Sequence, residues 1–586
     1  MPFVCQHLII GVPILFLGIL EMLMANKTEQ ELNNLISELK SEIITLKKDL
    51  KTKVKYGLTF ERKTEKVVEE CENKLPVLKE VVGKKVETDK TKPVNILIEG
   101  DNYHSLQVLN YTHQNKVDFI YIDPPYNRGG DFIYNDDFIK KEDSYKHSMW
   151  LSFMEKRLLL SRDLLSENGI IFISIDEHEF APLKLLCDQI FTDFSSVGPI
   201  CWQKASGGGN AKKLVMGHEY IVCFSKKENT LTQKNLKHIN KNYKKSKNYL
   251  EKGGKIFFIN DDIIRKYFGK YPEGVERRCE YEELLKYKDL NTKKEIDEKI
   301  KNGEYILRKN PNNPKRNFIC ELVEISDARM VLYSIIQNIF NSEGKDLLLD
   351  MGFAENMFDY PKPVNLIKIL LDSTNNKNSV VLDFFAGSGT TGHAVLELNK
   401  DGGNRQFILC TNNGDEKSEH KIASDICYPR IQKAIEGYVN KDKEKIKGLG
   451  GNIRYFKTTF IDRKKNKDEM KFKITNVSTE ILCLKEGIFD VIEEIGDEYS
   501  PTYKIVKGYT KDGPKVMGIY FDINDKKLDE MRKKLLKYKE DKVAYIFSLS
   551  DETLDINHND WLQIKIEPIP EKILKVYEYV YKLNKK

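Results

Sequence analysis

Cysteine pairs are the first thing this chain lacks. Its 10 cysteines are scattered through 586 residues, with no C-x-x-C spacing and no Cys/His cluster at zinc spacing. Reduced thiols in a cytoplasmic protein are the simple reading, and the spacing argues against a structural metal. An excess of one charge is also missing: 95 Lys and Arg stand against 89 Asp and Glu, for a net charge of +6. Any nucleic-acid partner must then be met by local basic patches. Long apolar runs are absent except for "HLIIGVPILFLGILEMLM" (7–24), which Gly11 and Pro13 interrupt and which no Lys or Arg precedes. It is short for a membrane span and lacks the basic flank of a signal segment. An anchor and a signal segment compete with a third reading, an apolar extension over 1–24 ahead of a start at Met24, and the marginal hydropathy favours the third. With 40% hydrophobic and 31% charged residues, the composition is that of a globular protein, not a disordered one. The length implies roughly three or four domains.

What is present is organised in blocks. In 25–54, Leu32, Leu35, Leu39, Ile43, Leu46 and Leu50 recur at helical spacing, predicting an amphipathic helix or a short coiled coil. From 55 to 225 short apolar runs alternate with helical patterns: "VNILIEGD" (94–101), "VDFIYID" (117–123), "GIIFISID" (169–176) and "EYIVCFSK" (219–226). This alternation predicts an α/β domain with buried, mostly parallel strands. Residues 226–350 are rich in Lys, Asn and Tyr and break the rhythm, as an inserted domain would. The pattern returns over 351–440 with "VNLIKILLDST", "SVVLDFF" and "RQFILC". A C-terminal accessory domain, again alternating, fills 441–586.

Two motifs carry chemistry. "DFFAGSGTTGHA" (383–394) places Gly387, Gly389 and Gly392 in a G-x-G-x-x-G turn after an apolar strand, the context in which such a turn receives a nucleotide-like ligand. A P-loop is ruled out, because His393 stands where the phosphate-gripping Lys must be. A dinucleotide site lacks its usual acid: no Asp or Glu follows "RQFILC" before Asp415. Close helix–strand packing alone is the plain alternative.

The second motif is Asp123-Pro124-Pro125-Tyr126, directly after the run "VDFIYI". Two prolines cannot extend a strand, so the backbone leaves the sheet rigidly at its carboxyl end. There it presents a carboxylate, the Pro124 carbonyl and an aromatic ring. These suit methylation of an exocyclic amino group. Its lone pair is delocalised into the base; two acceptors taking its hydrogens draw the nitrogen toward a tetrahedral form that can attack a methyl sulfonium. Tyr126 can stack on a base swung out of the duplex.

"DPPY" together with "DFFAGSGT" resembles the amino-directed, S-adenosylmethionine-dependent DNA methyltransferases. Their permuted order resembles the beta class. "KYGLTFERKTEKVVEECENKLPVLKEV" (55–81), "NILIEGDNYHSLQVL", "FDYPKPVNLIKILL" (358–371) and "RQFILCTNNGDE" are closest to the modification subunit of type III restriction-modification systems. The resemblance implies a Rossmann-like methyltransferase sheet with an inserted target-recognition domain and a C-terminal α/β accessory domain. It implies N6-methylation of adenine in duplex DNA, with Asp123 to Tyr126 holding the base and S-adenosyl-L-methionine bound by Asp383, Phe385, Gly387, Ser388 and Gly389. Asp101 and Lys362 are further expected cofactor contacts, and Thr411, Asn412 or Asp415 replaces the missing ribose acid. N4-cytosine methylation is the rival, although it usually has Ser where Asp123 stands; an idle DNA-binding subunit is the other. C5-cytosine methylation is disfavoured, since no Pro here precedes a Cys. A homodimer, a separate ATP-dependent restriction subunit and no metal requirement for methyl transfer complete the expectation. "IDEHEF" (175–180) carries a His among acids, but reads as a solvated loop rather than a metal site.

Overall fold

The structure is a computed structural model that describes residues 58–128, 146–207, 214–227, 231–234, 249–252, 255–261, 263, 279–324, 329–414, 419–464, 466–497, 500–523, 527–549, 554 and 558–584. The chain divides into two units, Met1–Thr59 and Phe60–Lys586, and the described residues lie almost wholly in the second. The apolar extension and the helix expected over 25–54 lie outside the described residues.

The second unit is built on one large sheet. Its main elements begin with β1 (Lys74–Glu80), β2 (Val94–Glu99), α1 (Asn102–Thr112), β3 (Val117–Ile122) and α2 (Lys146–Leu164). They continue with β4 (Leu165–Ile175), α3 (Phe180–Ile190), β5 (Ile200–Gln203) and β6 (His218–Ser225). Then follow β7 (Ile335–Ile336), α4 (Val364–Ser373), β8 (Val380–Asp383), α5 (Thr390–Leu398), β9 (Gln406–Thr411), α6 (Tyr428–Glu436) and β10 (Asn452–Asp462). The strand order is β1-β10-β2-β9-β8-β3-β4-β6-β5-β7. The run from β10 to β4 is parallel; β1 and β6 pair antiparallel on its two flanks.

Strands buried on both faces carry apolar residues on both of them, and the central strands do so along most of their length. Leu97, Phe119, Tyr121, Phe172, Val381 and Leu409 share one core cluster with Leu366, Leu370, Val395 and Ile431 of α4, α5 and α6. The two-residue period turns the buried Ile96, Ile120, Ile122, Ile171 and Ile173 to the opposite face, which is left to α1, α2 and α3, packed one on the next.

The connections fix where a ligand can sit. From β3 the chain passes through α2 to β4 on one side; from β8 it passes through α5 to β9 on the other. β3 and β8 are neighbours, so the strand order reverses between them and their carboxyl ends border a crevice.

The insertion contains a four-stranded antiparallel sheet, in the order Tyr249–Lys252, Lys255–Asn260, Asn313–Glu324, Tyr305–Asn310. Cys279, Leu284, Ile296 and Ile319 give it a small core of its own. The C-terminal region forms a five-stranded sheet from Asp490 to Ile569 with a separate core around Tyr503, Met531 and Ala544. Two boundaries differ from expectation. The large sheet resumes at β7, before 351, because Ile335 and Ile336 pair with β5. It also continues past 440: the Lys/Glu stretch is only a short hairpin, Gly437–Val439 with Lys445–Lys447, that returns the chain to β10 beside β2. Among the described residues, no helix is long and apolar enough to cross a membrane.

Candidate active site

The motif after β3 is held from several sides. Trp150 of α2 donates its indole N–H to the Pro125 carbonyl at 2.6 Å. Asn127 closes the turn in the left-handed region, with φ of 56°, and donates to Glu179 Oε1 at 2.5 Å and to the Lys146 carbonyl at 3.3 Å. His147 Nδ1 meets the same Glu179 oxygen at 2.6 Å. Among the described residues no donor occupies the Pro124 carbonyl, so it stays available as an acceptor.

Asp123 stands at the centre of a charged cluster. Lys362 Nζ donates to its two oxygens at 2.9 and 2.8 Å and to the Tyr126 hydroxyl oxygen at 2.9 Å. The Tyr126 hydroxyl lies 2.7 Å from Asp123 Oδ1 and 3.0 Å from Glu219 Oε2. Glu219, on β6, is also 3.4 Å from Lys362, 3.3 Å from Lys204 and 3.9 Å from Arg128. Burial raises the Asp123 carboxyl above its ordinary range despite the pull of Lys362. Burial acts upward on Glu219 too, but Lys362 and Lys204 outweigh it and hold that carboxyl low. The charge on Lys362 survives burial because Asp123 and Glu219 both favour it. Burying charges together is tolerable only when they are paired in this way.

The glycine turn follows β8. Asp383 accepts from the Phe385 N–H at 3.0 Å and from the Thr391 hydroxyl at 2.5 Å, bracing the turn from within. Burial pushes its carboxyl up to about 7. Gly387 and Gly389 take φ of 48° and 81°, which a side chain resists. Gly392 is needed for its small size instead. A Cβ there would lie 2.7 Å from Ile431 Cδ1 and 3.0 Å from Leu409 Cδ1, so the glycine lets α5 approach α6 and the sheet. Phe385 is half-buried beside Phe153, with ring centroids 5.8 Å apart. Arg430 of α6 is fully buried and donates to Ser388 Oγ and Thr390 Oγ1, both at 2.8 Å. Its Nε and Nη2 find no partner among the described residues, and burial pushes the guanidinium down to about 10.

The structure therefore brings Asp123, Pro124, Pro125 and Tyr126 to one side of the crevice and Asp383, Phe385, Gly387, Ser388 and Gly389 to the other. Two residues expected at the cofactor make contacts within the protein. Lys362 is drawn to the Asp123 carboxylate, and its carbonyl accepts from Thr390 at 3.2 Å. Asp101 caps α1 through the Tyr103 N–H at 2.7 Å and meets the buried Arg157 at 3.3 Å. Thr411 is buried and Asn412 Oδ1 accepts from the Gly414 N–H at 3.1 Å; Asp415 lies outside the described residues. "IDEHEF" is a loop solvated only in part: Glu177 and His178 are exposed, but Asp176 and Glu179 are buried, and Asp176 pairs with Arg128 at 2.6 Å. Asp176, Glu177 and His178 are close enough to share a cation, but Arg128 already answers the one buried acid among them. Sequence reasoning missed Glu219, Lys204, Arg128 and Arg430. The only available signal was an acid placed inside an apolar strand, "HEYIVCF".

With this geometry in place, the class follows. Residues 117–423, just over half of the chain, match the N6_N4_Mtase family, described as DNA methylase, and the chain belongs to that family. It is similar to the StyLTI Mod subunit, a type III restriction-modification enzyme of Salmonella typhimurium: 32% identity over 383 residues, 60% of this chain and 57% of that protein. It is also similar to the EcoP15I Mod subunit of Escherichia coli, at 30% over 54% of this chain and 58% of that one. The type II methyltransferase M.KpnI of Klebsiella pneumoniae is 29% identical over 59% of this chain and 89% of its own length. The chain thus spans less than three fifths of either Mod subunit.

Proposed function

We propose that this chain transfers a methyl group from S-adenosyl-L-methionine to N6 of adenine in duplex DNA, as the modification subunit of a type III restriction-modification system. The observation that carries the reading is Asp123 with a Pro124 carbonyl unoccupied among the described residues, at the carboxyl end of β3, across the strand-order reversal from the glycine turn. The family and the names of the relatives support it. The residues at the turn fit the cofactor: Arg430 is a buried cation without a carboxylate partner among the described residues, beside Ser388, and the cofactor has an α-carboxylate to set there. When bound, S-adenosylmethionine supplies an electrophilic methyl sulfonium.

The chain's own residues do the rest. Asp123 and the Pro124 carbonyl accept the two amino hydrogens, and Asp123 is complementary to the positive charge that develops on nitrogen. Methylation leaves one proton surplus on that nitrogen, which departs to Asp123 or to water. Tyr126 offers its ring to the displaced base, its hydroxyl tethered to Asp123. Asp at the head of the motif favours adenine over N4 of cytosine. Dimerisation and pairing with a restriction subunit belong to the same proposal, as does a cytoplasmic location. Asp123→Ala tests it: transfer falls by about a thousandfold or more while calorimetry shows cofactor binding unchanged. Turnover retained in that variant removes Asp123 from the mechanism.

A further inference from the structure

Lys362 occupies the place the substrate needs. Its ammonium spans both oxygens of Asp123, at 2.9 and 2.8 Å, and Tyr126 holds one of them as well at 2.7 Å. While the ammonium stays there, Asp123 is neutralised and its open side is covered. A target amino group then meets a carboxylate already satisfied, and positive charge developing on nitrogen meets a compensated acid. The lysine cannot simply be set free, because an unpaired ammonium in a buried site is strongly unfavourable. It needs a second anion within a short swing.

Glu219 is that anion. Its Oε2 lies 3.4 Å from Lys362 Nζ, and the two side chains are 5% and 8% exposed, so water offers the ammonium little alternative. Its other oxygen, Oε1, is engaged by Lys204 at 3.3 Å and lies 3.9 Å from Arg128, which holds the carboxylate in place and leaves Oε2 facing Lys362. The Tyr126 hydroxyl, within reach of both acids, has one proton to give and can stay on Asp123 throughout. We infer that Glu219 is a positioning residue that takes Lys362 over from Asp123 when the target base enters, freeing an Asp123 oxygen for the amino group and restoring its charge. No covalent bond changes in this step; one ion pair is exchanged for another. The inference rests on the methyltransferase reading above.

The test compares four full-length chains: wild type, Glu219→Gln, Lys362→Met and the double variant. Each is assayed in single turnover with labelled S-adenosylmethionine and unmethylated duplex DNA, with cofactor affinity measured alongside by calorimetry. Glu219→Gln cannot receive the ammonium, so transfer slows about a hundredfold with cofactor affinity unchanged. Removing the ammonium as well relieves the obstruction, and the double variant recovers about tenfold over Glu219→Gln. Glu219→Asp, which keeps the charge, is slowed less than Glu219→Gln. A double variant slower than either single one overturns the inference, as does Glu219→Gln turning over at the wild-type rate. If Glu219→Gln does not fold, Glu219→Asp with and without Lys362→Met carries the same comparison, with relief expected and a deepened loss contradicting it. A wild-type chain that transfers nothing sinks the methyltransferase reading and this inference together. An active wild type with multiplying losses sinks this inference alone.

Discussion

Asp383 shows how burial sets the chemistry of one residue. It is 3% exposed, and its two donors, the Thr391 hydroxyl and the Phe385 N–H, only partly offset the loss of water. Its carboxyl therefore titrates near 7 in the folded chain, against 3.8 when free. A carboxyl raised on folding contributes stability that is complete below the lower value and is lost as pH rises through the upper one. Between about pH 4 and pH 7 the folded chain should lose up to about 4 kcal/mol through this group. His393 works in the opposite sense: burial pushes its imidazole down to about 3, so its contribution is present above about 6.5 and lost as pH falls. Asp383→Asn separates them, since both chains keep His393. Urea unfolding at pH 5 and pH 8 should show the wild type weakening relative to Asp383→Asn as pH rises; parallel behaviour contradicts the assignment. The sequence marked Asp383 as a candidate, but not its bracing of the turn, because only the folded chain shows Thr391 and the Phe385 N–H converging on it.

At the scale of elements, the turn between β8 and α5 depends on glycine for two separable reasons. Gly389 has φ of 81°, and a Cβ there would lie 3.0 Å from Cys427 Sγ. Gly402 has the same φ of 81° with nothing within 4 Å of its Cβ position. Gly402→Ala should therefore cost about 1 kcal/mol, the strain of a left-handed alanine alone. Gly389→Ala adds crowding against a buried neighbour and should cost about 1–3 kcal/mol more. Denaturant midpoints of the two variants check this; equal losses would mean that the turn is not tightly packed. The alternating apolar runs made β2, β3, β4, β6, β8 and β9 readable, since strands buried on both faces leave that signature. β10 was missed because Asn452–Asp462 lies in the segment assigned to the accessory domain. The Pro-Pro turn was readable because proline chemistry is local. Glu219 was not: one acid in an apolar strand gives no sign of what it faces.

At the scale of the whole molecule, the site exists only because the sheet joins distant segments. Lys362 reaches Asp123 across 239 positions of sequence, and the two motifs come together because β3 and β8 are neighbours with the insertion looped out between β6 and β7. Motif chemistry could propose which residues act, but not that the lysine expected at the cofactor would sit on Asp123. That outcome depends on β3, on β6 and on the loop before α4. The central claim is about what the assembled crevice does, and one measurement addresses it directly. The full chain is incubated with labelled S-adenosylmethionine and unmethylated duplex DNA, and the DNA is digested to nucleosides. The label is expected in N6-methyladenine. Label in N4-methylcytosine, or no transfer by a chain that binds the cofactor, would contradict it.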